Sequence, residues 1–174
     1  MPLHLQEAAQ SPVPLCIAEH AARGDHAVGL NENKEVTMAN VKLGTKAVGS
    51  IVKIKVNGAS KDFIVVQQGN PNTSTYDSSC NGTWLLMKDI YTTSTFGSNN
   101  SYKDSSIHTY LNGTFYNLID SNIRAAIKQV KIPYQNGTGS GGSLATGSNG
   151  LSTKVFLLSG YEVGWTTSDN GYFP

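Results

Sequence analysis

Charge, cysteine and long apolar runs are all scarce in this chain of 174 residues. Charged side chains make up 14% of it and the formal net charge is +1, so no long-range field steers nucleic acid or an anionic membrane surface toward it. The two cysteines, Cys16 and Cys80, fall short of a disulfide scaffold and form no CxxC pair for metal or redox work. Both are expected as free thiols, with Cys80 the buried one. No stretch approaches the roughly 20 apolar residues that a spanning helix needs, so membrane insertion is not expected. Residues 1–14 have neither the basic region nor the long apolar region of a secretory signal.

Catalytic patterns are missing as well. His4, His20, His26 and His108 form no HxH or HExxH pair, and Glu19, His20, Asp25 and His26 lie where nothing fixes their geometry, so no metal site is expected. No GxSxG elbow is present; Ser159-Gly160 after an apolar run is only a faint echo of a nucleophile turn. Asp77, Asp89, Asp104, Asp120, Glu162 and Asp169 sit mostly beside Ser, Asn or helix starts, where turns and caps use carboxylates. Residues 137–150 hold many glycines but no Lys-Ser/Thr, so they do not make a phosphate loop. The expectation is a protein with no catalytic residues and no cofactor.

What the chain does have is 18 glycines among many Ser, Thr and Asn residues, a composition common in loop-rich extracellular and virion β proteins. Residues 1–37 read as an arm: three prolines by Pro14, a helical-looking stretch over Leu15 to Ala22, then Arg23-Gly24-Asp25, which is ordinary turn chemistry. Met38 opens a different texture that could begin an independently translated domain, 38–174. Ile51, Val52, Ile54 and Val56, then Asn57-Gly58, then Phe63 to Val66 predict a hairpin, because Asn and Gly tolerate the positive φ of a tight turn. Lys53 and Lys55 give its first strand one wet face.

Thr83 to Ile90 predicts an interior strand on the near-continuous run Trp84 to Met87. Ser105 or Ser106 caps a helix to about Leu118, with Ile107, Tyr110, Leu111, Phe115 and Leu118 as its apolar stripe. Asp120 or Ser121 caps a second, about Asn122 to Val130, with Ile123, Ala126, Ile127 and Val130 inward and Arg124, Lys128 and Lys131 on a solvated face. Gln135 to Gly150, with six glycines, predicts a mobile loop, and Val155 to Leu158 a last strand. The expected class is α+β: a mixed, largely antiparallel sheet packed on two short helices. Trp84, Leu86, Ile107, Leu111, Phe115, Ile127 and Phe156 are the expected core. Five Asn-x-Ser/Thr triplets, at Asn72, Asn81, Asn99, Asn112 and Asn136, read as Asn/Thr-rich loops.

Thr83-Trp84-Leu85-Leu86-Met87-Lys88-Asp89-Ile90, Ser106-Ile107-His108-Thr109-Tyr110-Leu111-Asn112-Gly113-Thr114-Phe115-Tyr116 and Val155-Phe156-Leu157-Leu158-Ser159 carry a resemblance. Across about 38–174 the chain resembles an uncharacterised domain family of phage tail, prophage and surface proteins in Gram-positive gut bacteria. Such proteins continue past Tyr172-Phe173-Pro174 into a Trp-Trp-Leu-Arg-Ser-Pro motif and a late Arg-Pro, so the domain is expected to be incomplete at its C-terminus. The resemblance implies, by analogy, a truncated C-type-lectin-like fold. It also implies a receptor-binding or tail-tip module of a phage-like particle that recognises a bacterial surface glycan or protein, at the virion or bacterial surface. Loop tyrosines Tyr76, Tyr102 and Tyr134 are the candidate sugar-stacking residues. The alternative is a structural assembly module whose partner is itself or a neighbouring tail protein, docked through the arm; an enzyme acting on cell-wall polysaccharide is a third. Without later strands, the run Trp84 to Met87 and Val155 to Leu158 should present an unpaired edge or bare face that drives self-association or takes a separate partner chain to complete the sheet, unless residues 1–37 fold back over it.

Overall fold

Two consecutive residues with positive φ, Asn57 at 51° and Gly58 at 74°, join β2 (Ile51–Val56) to β3 (Ala59–Gln68). This is the backbone of a two-residue hairpin, and it sets the register Val56↔Ala59 through Ile51↔Ile64. The computed structural model describes residues 14–17, 42–97, 101–136 and 142–165. Burial along β2 alternates strictly, with Val52, Ile54 and Val56 inward and Ile51, Lys53 and Lys55 outward. β4 (Thr83–Met87) pairs antiparallel to β3, with a register shift between Val65 and Gln67, a bulge of the kind that bends a strand.

β4 has a second neighbour. β1 (Pro14–Ile17) runs antiparallel to it, Pro14 opposite Leu86 and Ile17 opposite Thr83, giving the sheet order β1-β4-β3-β2. This corrects two expectations. The start of the helical-looking stretch Leu15 to Ala22 is strand, and the edge of Trp84 to Met87 is not bare. A short isolated helix is marginal, whereas a strand laid on an open edge satisfies backbone donors and acceptors on both sides. Residues 18–22 and the Arg23-Gly24-Asp25 tripeptide lie outside the described residues. A chain beginning at residue 42 should therefore expose the β4 edge and self-associate. Light scattering checks this, and a monomer at high micromolar concentration would remove β1 as the cover.

At the other edge of the sheet, the end of β2 is tied to the helical segment. The Asn57 N–H donates to the Leu118 carbonyl (2.8 Å), the Asp120 N–H donates to the Lys55 carbonyl (3.0 Å), and Val56 bridges Ile119. These bonds tie the sheet to the helices. α1 (Ser106–Tyr110) starts at Ser105, whose Oγ accepts from the His108 N–H at 3.1 Å. It continues through a wide π turn over Leu111–Phe115, where the Tyr116 N–H reaches back to the Leu111 carbonyl, into α2 (Tyr116–Leu118). α3 (Ser121–Ala126) is capped by Asp120 and stops earlier than its apolar spacing predicts, since Ile127 turns extended at φ −71°, ψ 121°. Val130 then belongs to β5 (Val130–Ile132).

β5 pairs with β8 (Leu151–Thr153), and β6 (Tyr134–Asn136) pairs with β7 (Ser143–Ala145), both antiparallel. Part of the predicted loop Gln135 to Gly150 is thus a hairpin. The predicted strand Val155 to Leu158 is buried but irregular beyond a bridge residue at Val155, and the predicted strand to Ile90 ends at Met87. The architecture is α+β, with every described ladder antiparallel. One core joins Ile54, Phe63, Val65, Leu85 and Met87 of the sheet to Leu111 and Phe115 of the helical run and to Phe156. Of the expected core residues, Leu86 alone is only half-buried; its neighbour Leu85 is the enclosed one, because on β4 it is Leu85 and Met87 that stand opposite the inward Val65 and Phe63. Each fully buried side chain of this size contributes roughly 1.5–3 kcal/mol against conformational entropy.

Candidate functional site

The three tyrosines expected to stack on sugar are all inside. Tyr102 is 0% exposed, Tyr76 5% and Tyr134 8%, so none offers a ring face to solvent. Tyr102 Oη accepts from the Leu157 N–H at 2.9 Å and its ring meets His108 edge-on at 5.2 Å. Tyr76 packs edge-on against Trp84, which in turn meets Phe156 at 5.3 Å. Tyr134 lies in β6 opposite Ala145. A tyrosine in a polar loop has no periodic partner to reveal its burial; here the rings are what hold the loops down.

Among the described residues, Glu162 carries an enclosed carboxyl. Tyr76 Oη donates to its Oε1 at 2.5 Å, and the Ser159 N–H and Ser159 Oγ donate to its Oε2 at 2.6 Å and 2.9 Å. Ser159 is therefore a buried anchor, with its hydroxyl committed to the Glu162 carboxyl. Burial raises the Glu162 carboxyl above its ordinary 4.5, and the bonds from Tyr76 and Ser159 only partly oppose it. Because the folded value lies above the unfolded one, folding is favoured by the proton. This contribution is fully present below 4.5 and is lost as pH rises through the raised value. Glu162→Gln, with its amide oxygen toward Ser159 and its NH2 toward a Tyr76 hydroxyl that can turn to accept, should abolish that slope. The difference in denaturation midpoint between wild type and the variant, followed from pH 4 to pH 8, checks it; identical pH profiles would contradict the raised carboxyl.

Asn112, within the Tyr-Leu-Asn-Gly stretch, bonds five groups with its side chain. Its Nδ2 donates to the carbonyls of His108 (3.1 Å) and Val155 (2.9 Å), while its Oδ1 accepts from the Lys154 N–H (2.8 Å), the Val155 N–H (3.2 Å) and Thr153 Oγ1 (3.1 Å). The π turn that carries it faces the end of β8. π turns often accompany functional positions; this one is spent on joining two segments.

The basic row on and after α3 is committed to backbone. Arg124 Nη1 donates to the Asn117 carbonyl, Lys128 Nζ to the Asn81 carbonyl and Lys131 Nζ to the Ser148 carbonyl. Asp77 and Asp120 cap helical turns, and Asp62 pairs with Lys53 at 2.7 Å. The Cys80 side chain is buried, which pushes its thiol up to about 11, and its Sγ lies 3.2 Å from the Lys131 carbonyl. Burial lowers the His108 imidazole below its ordinary value, and its Nε2 is enclosed with no hydrogen-bond partner among the described residues. No three His, Cys, Asp or Glu side chains cluster for a metal among the described residues. His4, His20, His26, Glu19, Asp25 and Asp169 lie outside them.

The segments joined by Asn112, and the Glu162 turn, fall within the reach of a family model. Residues 81–172 match the domain of unknown function DUF6273, which is more than half of the 174 residues. The chain belongs to the DUF6273 family. The matched region of this DUF6273 chain runs from Asn81, just before β4, through the helices and β8 to beyond the Glu162 turn, while the β2–β3 hairpin precedes it. No curated protein and no solved structure matches the DUF6273 chain. No helix of its described residues is long and apolar enough to cross a membrane.

Proposed function

We propose that the protein is a receptor-binding or tail-tip module of a phage-like particle, recognising a glycan or protein on a bacterial surface, without catalysis. The observation that carries this reading is where its chemistry-bearing side chains go. Glu162, Ser159, Asn112, Arg124, Lys128 and Lys131 are taken up by internal hydrogen bonds. Among the outward-facing segments are uncharged loops, such as 71–74 and 92–95, rich in Ser, Thr and Asn. Rigid sheet and helices carrying polar loops are a scaffold for recognition. The sequence resemblance to phage tail and surface proteins supplies the setting, the virion or bacterial surface. The C-type-lectin-like topology implied by the same resemblance belongs to this proposal.

Glycan arrays together with whole-cell binding test it. Specific retention on either supports recognition. Silence on both by a folded sample would favour the structural assembly module, whose partner is a neighbouring tail protein or a second copy; turnover of cell-wall polysaccharide would replace both with an enzyme.

A further inference from the structure

We infer that Trp165, not the buried tyrosines, is the platform on which one pyranose ring of a neutral surface glycan stacks, an assignment that rests on the receptor-binding reading above. Trp165 is 87% exposed, the most exposed of the large hydrophobic side chains described, and Val163 beside it is 59% exposed. Water does not favour an indole held out in this way, and a tryptophan on a loose tail would fold down onto the nearest apolar surface.

The backbone here is not loose. Within the turn, the Val163 N–H donates to the Ser159 carbonyl (3.2 Å), the Gly164 N–H to the Tyr161 carbonyl (3.1 Å) and the Trp165 N–H to the Gly160 carbonyl (2.8 Å). Gly164 takes φ 75°, a conformation costly for other residues. The Glu162 carboxyl then bolts the turn to Tyr76 and Ser159. Three backbone bonds and a buried anchor thus fix the chain on which the indole stands, and a preorganised aromatic loses little entropy when it binds.

The size and charge of the patch select the ligand class. One indole and one valine offer far less than the roughly 800 Å² per partner of a stable protein interface, but match the area of a single sugar ring. The electron-rich indole face attracts the C–H groups on the flat side of a pyranose. Glu162, the turn's carboxyl, is turned inward and bonded to Tyr76 and Ser159, so among the described residues of the turn none offers an ion pair, which suits a neutral sugar.

The test uses the full chain, with Trp165→Ala and Trp165→Tyr, on arrayed glucose, galactose and N-acetylglucosamine oligomers and on whole Gram-positive cells. Trp84 is 2% exposed, so the solvent-exposed part of the tryptophan emission reports Trp165. Binding of an arrayed oligomer should shift that emission to the blue. Trp165→Ala should weaken binding about ten-fold at an unchanged melting temperature, and Trp165→Tyr should restore most of it. Equal binding by wild type and Trp165→Ala would overturn the platform and leave the receptor-binding reading standing. Trp165-dependent cell binding that survives periodate but not protease would overturn the sugar in favour of a protein ligand. No binding to array or cells would overturn both the platform and the reading beneath it.

Discussion

Replacing Asn112 by Ala should lower stability by about 3 kcal/mol, because two backbone donors, at Lys154 and Val155, lose their acceptor inside the fold and each unsatisfied donor costs roughly 1–3 kcal/mol. Val155 is 0% exposed, so water cannot replace the lost oxygen without opening the packing around it. The Val155 carbonyl loses the Nδ2 bond, but the Thr153 hydroxyl, 3.0 Å from it and released from Asn112 Oδ1, is free to donate to it instead, which limits the damage on that side. Asn112→Asp should give no rescue. It restores the acceptor, yet it sets a carboxylate oxygen against the His108 and Val155 carbonyls that the amide now bonds. Denaturant midpoints of both variants check this, and wild-type stability in either would show that the 153–155 segment is held by packing alone.

The same asparagine explains why one element was illegible. Val155 to Leu158 reads as a strand because four apolar residues in a row suit a sheet interior. The run is indeed interior, but its backbone donors go to side chains, Val155 to Asn112 Oδ1 and Leu157 to Tyr102 Oη. Partners 43 and 55 residues away in sequence leave no local mark. The end of α3 is illegible for a related reason: Ile123, Ala126, Ile127 and Val130 fit a helical stripe, and burying Ile127 and Val130 on extended backbone satisfies the same hydrophobic demand.

Features set by neighbours in sequence were legible. The β2–β3 hairpin follows from β-branched residues on either side of Asn57-Gly58, and both helix starts from Ser105 and Asp120, each of which accepts from a backbone N–H two or three residues on. The candidate site divides in the same way. A loop tyrosine such as Tyr76 looks available until the fold brings Trp84 and Glu162 to it. Trp165 carries no signal in the sequence either, since it follows an apolar run and a glycine and could equally be core. Its exposure arises from the turn that Gly164 and Glu162 impose.

Phe115 should be the costliest single truncation. It is 0% exposed at the end of the π turn, meets Tyr91 edge-on at 5.1 Å and Tyr110 at 6.5 Å, and belongs to the core that joins the helical run to the sheet. Phe115→Ala removes the buried ring and leaves a cavity that backbone on both sides cannot close: the helical run is fixed to the sheet by the Asn57–Leu118 and Asp120–Lys55 bonds and to β8 by Asn112. A site that cannot collapse bears both the lost transfer energy and the cavity, about 3–5 kcal/mol. Phe115→Leu, which refills much of the space, should lose clearly less, and Thr114→Ala, one residue away and exposed, should stay within about 0.5 kcal/mol of wild type. Urea titrations of the three variants give the comparison. A midpoint for Phe115→Ala as high as that of Thr114→Ala would mean that the ring does not lie between helix and sheet.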